Sequence, residues 1–489
     1  MSKIDFVDVT LRDGHQSLWA TRMTTAMMYP IAGKIDQAGF KVVELMGTVH
    51  FDACVRYLRE DPWERIRIMA KAMPNTSLAG AVRSKSLVSF DLVPDSIITL
   101  WIKRMAANGL RRVVIYDALH DWNNIAESIK TAKKEGLEVQ TPLVFSISPV
   151  HTDEYYSMKT AELVKLGVDC IYIKDSIGLL TPDRVKTLVP AIQKNLNGIP
   201  LEIHSHTTTG LAPLCYLEAI KLGITTIHTA ASPLANGPSL PSIENMIQNI
   251  RHLGHTPNID EDIVKEISNH FFYVAKRESK PLGIPVEYDA FQYDHQIPGG
   301  MITNFKSMLS QRGMEDKLQR VLEETALVRK ELGYPVMITP FSQIIATQAY
   351  FNVVLEERYK ETSDEVIKYV LEFYGKPPAP VEQNILDKIL KSPRAKEFQK
   401  WKQPQPSLKK LRTELGSKLS DDELVLRALF PEEHVNATME ASPIKTYYPT
   451  QTKGQTIIDL VSKLTSESNL KYIRVQKEGL SLTLKKKIP

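Results

Sequence analysis

Residues 170–206 read CIYIKDSIGLLTPDRVKTLVPAIQKNLNGIPLEIHSH and contain one complete strand–helix–strand unit. Cys170–Lys174 is a short apolar run bounded by polar residues. Pro182–Asn195 has apolar residues at three- and four-residue spacing, and Leu201–His204 resumes the strand pattern. Outward from this unit the beat repeats. Strand-like runs occur at Ile4–Val9, Lys41–Leu45, Ser77–Val82, Arg112–Tyr116, Glu138–Phe145 and, on the far side, Thr225–His228. Helical patterns separate them at Ala26–Ala38, Trp63–Ala72, Asp95–Asn108, Asn123–Glu135, Asp153–Leu166 and Leu214–Leu222. Eight βα units of this size close into a (β/α)8 TIM barrel. An open doubly wound sheet would carry a Gly-rich phosphate turn after the first strand, and the sequence has none there.

After about residue 300 the pattern changes to helices without strands, with Met314–Glu331 and Phe341–Glu357 as long examples. Pro-rich Lys376–Pro380 and polar Lys402–Ser407 read as turns or linkers. The last fifty residues suggest a helix at Thr456–Leu464 and a hairpin of Tyr472–Lys477 and Leu480–Lys485 about Glu478-Gly479. The expectation is an α/β chain: a TIM barrel over 1–300, a helical domain over 301–438 and a small C-terminal α+β element over 439–489.

With 61 basic and 57 acidic residues, the chain lacks a broad field that would draw nucleic acid. Cys54, Cys170 and Cys215 are odd in number and widely spaced, which argues against a disulfide framework or a thiolate metal site. No apolar signal core opens the sequence and no uncharged apolar run of about eighteen residues occurs, so a soluble cytoplasmic protein without membrane insertion is expected.

A TIM barrel places its chemistry where strands end and βα loops begin. Here those positions carry Asp13 and Gln16 after the first strand, Arg83 after the third, Lys174-Asp175 after the sixth and His204-Ser205-His206 after the seventh. Residues two apart on an extended segment point to one side, so His204 and His206 can both face one ion, with Asp13 closing the site. A His-x-His pair alone is weak evidence, and the other strand ends at the same mouth strengthen it. Lys174 is the puzzle, because an ammonium repels a divalent cation. A depressed pKa, carbamylation by CO2, or a salt bridge to Asp175 or to a neighbour at the barrel rim would each resolve it.

Several longer motifs resemble the carboxyltransferase domains of biotin-dependent enzymes: pyruvate carboxylase, the oxaloacetate decarboxylase α-chain and the central transcarboxylase subunit. They are Asp8–Leu18 with Ala20–Met23, Phe51-Asp52 followed by Asp61–Arg65, Lys174-Asp175-x-x-Gly178-Leu179-Leu180, and His204-x-His206. Ile297–Gly300 with Thr303-Asn304, and Val336-x-x-Thr339-Pro340-x-Ser342, are similar to the helical domain that follows the barrel in these enzymes. The resemblance implies that Asp13, His204, His206 and a carboxylated Lys174 bind a divalent metal such as zinc, cobalt or manganese. It also implies that Arg83 grips the carboxylate of a small 2-oxoacid, Gln16 bonds its carbonyl or enol oxygen, and Asp52 orients Arg83. Thr339 would pass a proton between biotin and the acceptor, with Ser342 and Phe90 beside biotin. Read on their own, Thr339 and Ser342 suit a helix N-cap.

The sequence holds no Met-Lys-Met biotinylation tripeptide and no ATP-grasp region. The resemblance therefore implies a separate biotin carboxyl carrier protein, a biotin carboxylase or second carboxyltransferase subunit as partner, and a homo-oligomer. The C-terminal element with Lys485-Lys486-Lys487 reads either as a docking or assembly element or as a loosely attached basic tail. Around the acceptor the sequence departs from the family at Met46-Gly47-Thr48, His50, Ser84-Lys85-Ser86, Phe90 and Gln343. Acyl-CoA lyases and Claisen-type synthases share the Arg12-Asp13 and His204-x-His206 elements but lack the metal-binding lysine. A scaffold subunit without turnover is the non-enzyme alternative.

Overall fold

The computed structural model describes residues 2–290, 292–297, 305–306, 308–449, 472–477 and 480–485. Eight parallel strands form its centre: β1 Lys3–Asp8, β2 Val42–Met46, β3 Ser77–Arg83, β4 Arg112–Tyr116, β5 Glu138–Val144, β6 Cys170–Asp175, β7 Leu201–Ser205 and β8 Thr226–Thr229. Each pairs with its sequence neighbours. β1 pairs with β8 (Asp5↔Thr226) and also with β2 (Val7↔Val42), which closes the sheet into the expected barrel. Thr256–Pro257 adds a short outer pairing to β1.

The strands are buried on both faces, as a parallel barrel wrapped by helices requires, and β2, β6, β7 and β8 have every residue buried. Helices start where the sequence supplies caps. Thr24, Asp61, Thr152, Thr181 and Ser242 each accept a backbone N–H in the first turn of the following helix. Outside the barrel, Phe51 lies against Trp63 (4.7 Å between ring centroids) and Trp101 (4.2 Å), and truncating so buried an indole costs about 3–5 kcal/mol. Gly80 on β3 permits close packing, since a Cβ there would lie 2.6 Å from Leu110 Cδ1 and 2.7 Å from Met105 Cε.

Beyond the barrel, Leu318–Glu331 and Phe341–Val354 pack together, and the segment between them reaches the barrel mouth. Arg358 ties this region together by pairing with Glu324 and Glu331. Further on, Asp422 accepts from Arg67, Arg104 and Asn108 of the barrel layer. The chain divides into two compact units, Met1–Thr446 and Tyr447–Pro489, so the later helices belong with the barrel in one unit. In the second unit Tyr472–Lys477 and Leu480–Lys485 pair antiparallel, as expected of a hairpin. The expected helix Thr456–Leu464 and the residues Pro298–Gly300, Thr303, Asn304, Lys486 and Lys487 lie outside the described residues. Among the described residues no helix is long and apolar enough to cross a membrane.

Candidate active site

Asp13 sits in a wide turn, Thr10–Gly14, that leaves β1 at the C-terminal mouth of the barrel and is buried throughout. His204 ends β7 with Ser205, and His206 follows in the loop. Lys174 lies beside His204 in the β6–β7 register. The two-residue spacing works as the sequence suggested: His204 Nε2 and His206 Nε2 are 3.4 Å apart, and each is 3.5 Å from a different Asp13 oxygen. All three groups are buried, and one ligand atom from each falls within 4.8 Å of the others.

The surroundings keep Asp13 ionised. Burial alone would raise its carboxyl, but Arg12 at 2.7 Å and the two imidazoles hold it well below the usual carboxylate range. Arg12 is itself clamped by Glu44 of β2, and Ser17 donates to Asp13 Oδ1 at 2.9 Å. His206 Nδ1 faces the carbonyl of Pro238 at 2.6 Å, which can only accept. A neutral His206 therefore has its proton on Nδ1 and a bare Nε2 toward Asp13. Burial would lower the basicity of His206, yet the Asp13 carboxylate outweighs it and raises it. Buried lone pairs and carboxylate oxygens facing one another are what a divalent cation needs, so this donor set fits a zinc-type ion.

Lys174 is buried, and none of the described carboxylates forms an ion pair with it. Its ammonium lies 5.6 Å from the Tyr116 ring centroid. Burial, reinforced by Arg12, pulls its pKa down to about 8. Asp175, the partner in the simplest salt-bridge reading, is taken up elsewhere. It accepts from the backbone N–H groups of Gly178, Leu179 and Leu180 and from Ser205 Oγ at 2.8–2.9 Å, which folds the β6 loop. Gly178 is required in that loop: its φ is +78°, and a Cβ would lie 2.7 Å from the His206 carbonyl.

A cavity of about 270 Å³ opens above the cluster. Asp13, Gln16, Lys174 and His206 line one side, and Thr339, Ser342 and Gln343 line the other. Helix Phe341–Val354 has Pro340 at its N-cap and no side-chain cap bond, so Thr339 and Ser342 do not serve the capping role that sequence alone favoured. Instead Gln343 Nε2 donates to Thr339 Oγ1 at 3.2 Å, and Ser342 Oγ donates to Gln343 Oε1 at 2.9 Å.

The structure does not bring Arg83, Asp52 and Phe90 into that lining. Arg83 is buried but donates to the carbonyls of Ser86 and Ser89 in its own loop. Asp52 is held by Arg56 at 2.6 Å. Phe90 is 38% exposed, with its carbonyl bonded to the Tyr374 hydroxyl. Sequence reasoning passed over Tyr116, Ser176 and Thr208 on the cavity wall, and Glu202 and His228 beneath His204. The signal for Glu202 was legible, since a charged residue two before His204 on a buried strand points to the same side.

Residues 3–270 match the HMGL-like family and residues 293–471 match the Conserved carboxylase domain. The chain is 43% identical to a pyruvate carboxylase subunit of Methanocaldococcus jannaschii, over 79% of this chain and 68% of that protein. It is 34% identical to the methylmalonyl-CoA carboxyltransferase 5S subunit of Propionibacterium freudenreichii subsp. shermanii, over 88% of this chain and 86% of that protein. The carboxyl transferase domain of Rhizobium etli pyruvate carboxylase, solved with pyruvate, superposes with a TM-score of 0.82 at 25% identity, covering 92% of this chain and 79% of that one. With the barrel, its mouth cluster and the following helices all in place, the chain belongs to the family of biotin-dependent carboxyltransferases.

Proposed function

We propose that this chain exchanges CO2 between carboxybiotin on a separate carrier protein and a small 2-oxoacid of the pyruvate/oxaloacetate kind, at a divalent metal held by Asp13, His204, His206 and carboxylated Lys174. The observation that carries the reading is the buried convergence of Asp13, His204 and His206 beside a lysine that has no counter-ion among the described residues and gives up its proton more readily than an ordinary lysine. A neutral amine that adds CO2 at its nitrogen and releases one N–H proton to solvent gives a carbamate, which turns the one cation in the set into an anionic oxygen donor. When bound, zinc, cobalt or manganese would supply Lewis-acid polarisation of the acceptor's carbonyl, and biotin would supply or receive the carboxyl group.

The chain's own residues do the rest. Gln16 on the cavity wall bonds the acceptor's carbonyl or enol oxygen. Thr339 Oγ1 already accepts from Gln343, which leaves its own O–H free to point into the cavity and hand a proton between acceptor carbon and biotin. Ser342, with Phe90 nearer the surface, is assigned to the biotin side. Arg83 still has N–H groups unused by Ser86 and Ser89 for the acceptor's carboxylate, and Asp52 adds negative charge near it.

The working layout is a carboxyltransferase barrel over 1–300, a helical carboxylase-type domain over 301–438 and an assembly or carrier-docking element over 439–489. The proposed setting is a cytoplasmic homo-oligomer that meets a biotin carboxyl carrier protein and a biotin carboxylase or second carboxyltransferase subunit.

The test is carboxyl exchange with purified chain, a matched biotin carrier and labelled oxaloacetate, repeated with pyruvate, 2-oxobutyrate and 2-oxoglutarate as acceptors. Label on biotin or pyruvate, lost on Thr339→Ala with metal content unchanged, is the expected result. Acyl-CoA cleavage in place of exchange would move the chain to the lyase side of the barrel class.

A further inference from the structure

Beneath the mouth cluster, three buried side chains stand in line. His204 Nδ1 lies 3.2 Å from His228 Nδ1, and His228 Nε2 lies 3.0 Å from Glu202 Oε2. All three residues are fully shielded from solvent. The Glu202 carboxylate also accepts from Gln140 Nε2 at 2.6 Å, Lys41 Nζ at 3.0 Å and Arg112 Nη1 at 3.3–3.4 Å. Every one of these neighbours donates, so Glu202 is the acceptor of the group.

The proton positions follow from donor and acceptor rules. An ionised carboxylate has no hydrogen to give, so the His228–Glu202 bond takes its hydrogen from His228 Nε2. Neutral His228 then has a bare Nδ1. Only one hydrogen fits between two ring nitrogens 3.2 Å apart, and with His228 in its neutral form it comes from His204 Nδ1. That leaves His204 Nε2 bare and aimed at Asp13 and His206. The other group near His228 Nδ1, Glu44 Oε1, is 3.7 Å away and too distant to claim the proton. Tyr172 stacks on His228 with ring centroids 5.2 Å apart and holds the ring in its plane.

We infer that Glu202 and His228 are positioning residues that fix the tautomer of His204 through a carboxylate–imidazole–imidazole relay, presenting its Nε2 as a lone pair to the mouth cluster. Outer hydrogen bonds of this kind fix ligand orientation and raise ligand basicity. This inference rests on the metal reading above only for its consequence; the relay itself is a property of the chain.

The test uses the full chain labelled with ¹⁵N at histidine, first stripped of metal and then titrated with zinc against a competing chelator. In the metal-free protein His204 and His228 should report opposite tautomers: His204 protonated at Nδ1 and His228 at Nε2. Resonances are assigned from His228→Gln and His228→Phe. His228→Phe, which removes the acceptor, and Glu202→Gln, which can offer an N–H to His228 and reverse the relay, should each weaken zinc by about 10–100-fold. His228→Gln places an amide oxygen near the lost Nδ1 and should stay within about threefold of the parent. A wild-type spectrum with His204 protonated at Nε2 overturns the relay, whether or not the variants fold. Equal zinc affinity in all four proteins overturns it as well. If the wild-type chain binds no zinc, the metal reading fails while the tautomer spectrum still decides the relay.

Discussion

The two sides of the barrel mouth are built differently. On the side formed by β6, β7 and the β1 turn, His204 ends its strand and His206 lies one step beyond, and both, with Asp13 of the turn, are tied to something below or beside them: His204 to His228, His206 to the Pro238 carbonyl, Asp13 to Arg12 and Ser17. On the β2–β3 side, the residues assigned to the acceptor hold on to near neighbours in sequence, Arg83 to Ser86 and Ser89 of its loop and Asp52 to Arg56 one helical turn on. Ligands in a strand register have their directions set by the sheet. Groups at the root of a loop point where that loop's carbonyls take them. On the proposed function, the ligand side is thus preorganised, whereas the acceptor side would complete its contacts when a carboxylate competes for Arg83.

The strongest way to break this contrast is at Lys174. Lys174→Ala and Lys174→Arg should each lower carboxyl exchange by at least about 10³-fold, because neither can form the carbamate, and bound metal measured by elemental analysis should fall with it. Arg83→Ala probes the other side. It should cost about 10–100-fold in kcat/KM with metal content unchanged, the value of a charge-assisted hydrogen bond. Asp52→Ala should cost less than Arg83→Ala, since its carboxylate is already engaged by Arg56.

A third experiment reads the same lysine through pH. With its pKa drawn down to about 8, Lys174 is mostly ammonium at lower pH and mostly amine above. The rate constant with which dissolved CO2 activates metal-stripped protein, read as exchange once metal is restored, should therefore rise by about tenfold per pH unit below that point and level off beyond it.

The smallest effect concerns stability, at the end of β1. Burial pushes Asp8 up to about 7 against hydrogen bonds from Thr10. The native chain keeps this proton until about pH 7, while the unfolded chain releases it near 3.8. The contribution to stability is complete below 3.8 and declines as pH rises to about 7. Asp8→Asn retains the neutral form, so it should gain up to ~2–4 kcal/mol over the parent at alkaline pH and nothing in strong acid. Paired melting curves at the two extremes check the sign.

The barrel was legible because periodicity and length carry most of the information in buried parallel strands. Each of the eight strands lies within a residue or two of its expected span. His204 and His206 were legible because a spacing of two on a strand fixes a shared side. Loop residues were not. Nothing in the order Arg83-Ser84-Lys85-Ser86 says that the guanidinium turns back to Ser86 and Ser89, because that direction depends on carbonyls with no local pattern. The attachment of the later helices was hidden too, since it rests on contacts such as Asp422 with Arg67 and Arg104 of the barrel layer.

By itself, the sequence determined the eightfold βα rhythm, the reactive strand ends and the long motifs that relate this chain to carboxyltransferases. These follow from local spacing, which a linear text preserves. Tertiary structure alone decided that Asp175 is spent on the β6 loop and leaves Lys174 without a counter-ion among the described residues, that Thr339 and Ser342 wall a cavity instead of capping a helix, and that Glu202 and His228 stand under His204. Each depends on which side chains from distant positions meet in three dimensions, and closure of the barrel is what brings them together.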